Sequence, residues 1–159
     1  MMDGASRSSA QALPGFKAAC TAIGLLYVLL GMSTALRGAP ATMAQFGVPK
    51  AVLSSPHFED FFHWVFVHMT TLGVLLLLLG RFVEPGRAQR MVARVMCFVE
   101  LHYTYLDFRT SDSPLGNGLY RGQASLIPPI IDVLVLLTFA YLGSRPLAEY
   151  RETSTAASA

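Results

Sequence analysis

Four runs of apolar residues, about Phe16–Leu36, Phe62–Gly80, Met91–Phe108 and Leu126–Gly143, constrain this chain more than anything else in its sequence. Each approaches the ~20 residues that cross ~30 Å of hydrocarbon at a helical rise of ~1.5 Å per residue, and none is long enough to hold two crossings. Backbone polar groups in hydrocarbon must be satisfied within the segment itself, so runs of this kind fold as helices. The expected fold is all-α: an integral membrane four-helix bundle of up-down topology. The short Arg81–Arg90 connection, which contains Pro85-Gly86, makes the second and third runs antiparallel neighbours. The charged fraction is only 14%, against roughly 25% in an average soluble domain.

Charge placement orients the bundle. If the termini and the Arg81–Arg90 turn share one side, that side carries Arg7, Lys17, Arg81, Arg87, Arg90, Arg94, Arg145 and Arg151, and the other only Arg37, Lys50, Arg109 and Arg121. The excess places both termini in the cytoplasm and the protein, as a multi-pass chain, in an inner or plasma membrane. Residues 1–15 and 144–159 read as disordered tails around a transmembrane domain at 16–143. The first apolar run begins only after Pro14-Gly15, which fits a cleavable signal poorly, and the C-terminal end carries no lipidation or retention signal. Cys20 and Cys97 fall inside expected helices and read as small buried hydrophobes. A net charge of +2, with no basic run and no phosphate-cradling glycine loop, gives no nucleic-acid signature.

Ionisable residues inside the spans are the candidates for function, because each costs several kcal/mol in hydrocarbon unless paired or solvated. On the third span Glu100, Tyr103 and Asp107 share one stripe at i, i+3 and i+7, while His102 and Tyr105 point elsewhere. Counted from the outer ends, Glu100 and His68 lie ~12 Å deep and Asp132 ~9 Å deep. Three helices thus place an ionisable group at similar depth in the outer half. Such a cluster is either a site or a polar network that fixes how the helices pack. At the outer end of the second span, Glu59 or Asp60 is placed to orient His63, and Trp64 fits an interfacial anchor. His63 and His68 are five apart, so they cannot grip one metal in the i, i+4 manner. Pro128-Pro129 is expected to break the hydrogen bonding at the start of the fourth span, just before Asp132. Gly24 and Gly31, seven apart, form a small-residue stripe that lets another backbone approach closely. The stretch Val48–Leu53 is too short to span and suits the interface, and Arg109–Gln123 reads as a cluster of turns.

A membrane enzyme of this size has only an apolar cavity between helices for a pocket, which implies a small lipophilic substrate. Two chemistries suit the cluster. An imidazole can bind haem iron while Tyr or Arg side chains position an oxygen-containing substrate. Alternatively, His68, Glu100, Asp107 and Asp132 can run cofactor-free acid/base catalysis as an isomerase or cyclase, a carboxylic acid delivering a proton to an epoxide or alkene. A third class is non-catalytic: a lipophile-binding, proton-passing or assembly protein. Four helices enclose little volume, so a homo-oligomer whose interfaces complete the pocket belongs among the expectations, with membrane lipid as the surrounding partner.

The order of features from His63 to about Leu137 resembles the styrene oxide isomerase family. It comprises His63 at the outer start of the second span, Tyr105-Leu106 ending the third, Ser113-Pro114 followed by Gly118-Leu119 and Gly122, and Asp132 near the start of the fourth. The resemblance implies a small four-helix membrane protein that rearranges an epoxide to an aldehyde with ferric haem b as Lewis acid. By it, His63 is the axial ligand and Tyr105 helps to orient the epoxide oxygen. The family has an Asn about a turn and a half beyond its ligand, where this chain has His68-Met69. That departure leaves His68 as either the replacement or a rival ligand.

Overall fold

The computed structural model describes residues 12–145, which are helical with no strand among them. The elements are α1 (Phe16–Arg37), α2 (Ala39–Ala44), α3 (Lys50–Leu53), α4 (Pro56–Phe82), α5 (Arg87–Thr110), a 3₁₀ turn at Gln123–Leu126 and α6 (Ile127–Ser144). Three helical stretches, Phe16–Arg37, Pro56–Phe82 and Gln123–Ser144, are long and apolar enough to cross a membrane. The remaining expected span forms α5, a helix of 24 residues and therefore ~36 Å long. Arg94, Glu100 and Asp107 within it keep its hydropathy below that of the other three.

The helices pack as two antiparallel pairs. Glycines let α1 and α4 meet backbone to backbone: a Cβ added at Gly73 would stand 2.7 Å from the Gly24 carbonyl oxygen, and one at Gly31 would strike the Thr70 hydroxyl and come within 2.9 Å of the Phe66 carbonyl. The small-residue stripe of α1 is thus occupied by α4 of the same chain. In the second pair, Arg94 of α5 donates from Nε to the Gly143 carbonyl of α6 at 3.1 Å. Bonds between the pairs are few and buried. Tyr27 of α1 donates to Glu100 of α5, and the Leu13 amide donates to Gln89 Oε1 at 2.7 Å.

Two apolar clusters follow. One fills the half of the bundle that holds the start of α1 and the end of α6, with Phe16, Cys20, Leu76, Met96, Phe139 and Leu142 at its centre. The other, Ala39, Met43, Val48, Phe58, Phe62 and Tyr120, caps the opposite end. Burial on α5 falls at Gln89, Ala93, Met96, Glu100 and Thr104, a three- and four-residue rhythm that turns its polar stripe inward between the clusters.

Two expectations change, and one element is new. Leu13 lies in the core, 4% exposed, so the segment before α1 packs against the bundle from that residue on; residues 1–11 and 146–159, the rest of the expected tails, lie outside the described residues. Pro128 and Pro129 open α6 from its first turn and do not interrupt it, because the first turn has no intrahelical use for those amides. Finally, the stretch after Arg37 contains a helix of its own, α2, whose Pro40 occupies the same permissive position.

Candidate functional site

The polar layer is built on α5. Glu100 is completely buried, and the Tyr27 hydroxyl spans its carboxylate, 2.7 Å from one oxygen and 2.8 Å from the other. One turn further out, Thr104 is buried with its hydroxyl unpartnered among the described residues. Asp107, the next residue on this face, lies within hydrogen-bonding reach of Asp132 on α6. A bond between two carboxyl groups needs one shared proton. Tyr103, half-buried, sits within electrostatic range of both Glu100 and Asp132. Of the three helices expected to converge, α5 and α6 bring Glu100 and Asp132 within electrostatic range of one another, with Tyr103 and Asp107 beside them, whereas His68 of α4 is exposed.

The arrangement can hold and pass protons, with hydroxyl and carboxyl groups alternating along one helix face. Among the described residues, no three His, Cys, Asp or Glu side chains converge closely enough to hold a metal ion. Tyr27 is the member that sequence reasoning missed. A single Tyr within an apolar run looks the same whether it anchors at an interface or donates inward, and the one signal was its depth, similar to that of Glu100.

The histidines are elsewhere. His68 faces outward on α4, its Nδ1 2.8 Å from the Trp64 carbonyl and its ring stacked on Trp64 at 4.6 Å. On α5, His102 places Nδ1 3.0 Å from the Phe98 carbonyl and meets the Phe98 ring edge-on, and Tyr105 is 62% exposed. His68 and Tyr105 therefore do not join the buried layer. His63 is also exposed, but it lines a groove of about 420 Å³ between α1 and α4 together with Gly31, Thr34, Phe66, Thr70 and Val74. Thr70 and Thr34 donate back to the Phe66 and Leu30 carbonyls, so the groove presents mainly carbon. The His63 ring makes no hydrogen bond among the described residues.

At the C-terminal end of α5, the segment that follows folds back on the helix it leaves. Asn117 and Tyr120 amides donate to the Arg109 and Thr110 carbonyls, each at 2.8 Å. Burial, and then the Asp107 carboxyl, pushes the Tyr120 hydroxyl up to about 12, which keeps it neutral above Asp107. Ser125, fully buried, ties the loop: its hydroxyl donates to the Gly122 carbonyl at 2.7 Å and accepts the Asp112 amide at 3.1 Å. Ser125→Ala strands that amide, and an expected loss of about 1–2 kcal/mol is measurable as a lowered thermal midpoint in detergent. No protein-family model, curated protein or solved structure matches the chain.

Proposed function

We propose that the chain is a multi-pass membrane enzyme that isomerises a small, epoxide-like lipophile. In this reading α1, α4, α5 and α6 cross the bilayer up and down as a four-helix bundle with both termini cytoplasmic. α5 is tolerated in hydrocarbon because its stripe turns inward, where Glu100 and Asp107 meet partners on α1 and α6. The observation that carries the reading is the His63 imidazole, which makes no hydrogen bond among the described residues and lines a mainly carbon-walled, open groove between α1 and α4. A lipophile reaches such a groove from the bilayer without crossing water.

Haem b is the cofactor that the resemblance to styrene oxide isomerases implies, and the residues present fit it: an imidazole without a hydrogen-bond partner among the described residues, beside an apolar lining, could hold the iron of a lipophilic group. His63 would hold the iron, which when bound supplies a Lewis-acid centre for the epoxide oxygen. The chain's own side chains exclude water, since Phe66 and Val74 line the groove and the threonine hydroxyls are turned back to backbone. Tyr105 and His68 are not among the lining residues and face outward. They serve the groove of a neighbouring copy, which makes a homo-oligomer part of the proposal.

A second reading rests on the Tyr27–Glu100 and Asp107–Asp132 contacts, which suit cofactor-free acid/base catalysis. An ultraviolet–visible spectrum of protein purified in detergent from cells supplied with haem precursor separates the two. The expected result is a Soret band that shifts on reduction, lost in His63→Ala and kept in His68→Ala. Folded protein with a featureless visible region would remove the haem proposal and leave Glu100, Asp107 and Asp132 as the residues to test.

A further inference from the structure

The inner end of α5 carries a stripe that the His63 groove does not use. Arg87, Arg90 and Arg94 recur at three- and four-residue spacing and so share one side of the helix, with Met91, Val95 and Phe98 along the same side. These residues line one open groove of about 700 Å³. Its two ends differ in chemistry. The guanidinium groups gather toward the start of α5, and the groove continues toward mid-helix over Val95 and Phe98, which are 53% and 65% exposed.

Arg94 is the informative member. It stands seven residues into α5, about 10 Å from the helix start, where a charge facing hydrocarbon is costly unless it meets an anion. Gly143 of α6 gives its stem room, since a Cβ there would lie 3.0 Å from Arg94 Cγ. The Nε bond to the Gly143 carbonyl fixes the side chain and uses one of the five guanidinium N–H donors. Among the described residues no carboxylate is paired with Arg87, Arg90 or Arg94.

We propose that this groove binds an anionic phospholipid of the cytoplasmic leaflet, its phosphate on Arg87, Arg90 and Arg94 and an acyl chain along Met91, Val95 and Phe98. Charge complementarity selects this occupant. Arginine forks match phosphate oxygens, the anionic leaflet lies on the side to which positive charge orients the bundle, and the apolar extension suits a chain that a free anion lacks. The proposal rests on α5 crossing the membrane with this end cytoplasmic, and it is independent of His63 and of any haem.

The test uses the full-length protein in neutral detergent with phosphatidylglycerol, with phosphatidylcholine of the same acyl chains, or with inorganic phosphate. It reads lipid retention by native mass spectrometry together with the thermal midpoint. Phosphatidylglycerol is expected to be retained and to raise the midpoint, and the other two are not. Arg87→Gln/Arg90→Gln, which breaks no hydrogen bond among the described residues, is expected to lower phosphatidylglycerol retention about tenfold or more. Arg109→Gln/Arg121→Gln at the other end leaves it unchanged. Equal retention of the two lipids, or undiminished retention in the inner variant, overturns the proposal. Stabilisation by inorganic phosphate equal to that by the lipid overturns it too and assigns the groove to a free anion. Release of the protein from membranes by alkaline carbonate would instead contradict the spanning of α5, a result distinct from either lipid outcome.

Discussion

Gly73→Ala is expected to lower the stability of the bundle by about 3 kcal/mol, at the upper end of overpacking costs, and Gly73→Leu to prevent its folding. A Cβ at Gly73 would lie 2.7 Å from the Gly24 carbonyl and 2.9 Å from the Val28 amide nitrogen. Both are backbone atoms of α1 and cannot rotate aside, so the helices must part. Parting them also loosens the approach of Gly31 to Phe66 and of Gly80 to Cys20. The neighbouring Val74 is 45% exposed, and Val74→Ala is expected to stay within about 0.5 kcal/mol of the parent. Thermal unfolding in detergent, followed by circular dichroism, reads both. A Gly73→Ala protein as stable as the parent would show that α1 and α4 are not in backbone contact.

The second large effect is expected at Tyr27. Removing its hydroxyl in Tyr27→Phe leaves the Glu100 carboxyl completely buried without its donor, a loss of about 1–3 kcal/mol, more if the group stays charged. Replacing both partners with apolar groups, as in Tyr27→Phe/Glu100→Leu, removes the stranded acid and is expected to recover most of that loss. The cycle of single and double variants therefore returns a coupling energy of about 1–3 kcal/mol. Additive effects would mean that the two groups do not interact. The same proteins separate packing from chemistry. If the layer serves only to fix the helices, the recovered double variant keeps every functional readout, whereas a catalytic Glu100 leaves it stable and inactive.

How much of this was legible in the sequence depends on what each pattern encodes. The inward stripe of α5 was readable because Glu100, Tyr103 and Asp107 keep the helical period, and a period specifies a face. Depth was equally readable for His68, but its face was not: polar residues occur all round the outer end of α4, so no stripe distinguishes inside from outside, and the ring stacks outward on Trp64. The close-approach stripe of Gly24 and Gly31 was visible without its partner, since small residues announce contact but not with which helix. α2 escaped because six residues with a proline at the start carry too little periodicity to count, and its stability comes from packing Ala39 and Met43 against Phe58 and Phe62. Pro128-Pro129 read as a break because the 3₁₀ turn that precedes α6, and so the first turn of that helix, could not be placed from composition. Resemblance supplied His63, and the groove beside it belongs to tertiary structure alone.

The central element of the proposed bundle is α5, the most polar of the long helices, crossing the membrane with its acidic stripe inward. Single cysteines at Arg87→Cys and Ser113→Cys, each in a chain with Cys20 and Cys97 replaced by alanine, test this with a membrane-impermeant maleimide on intact cells. Ser113→Cys is expected to label in intact cells and Arg87→Cys only after permeabilisation. Labelling of both from the same side would contradict that crossing.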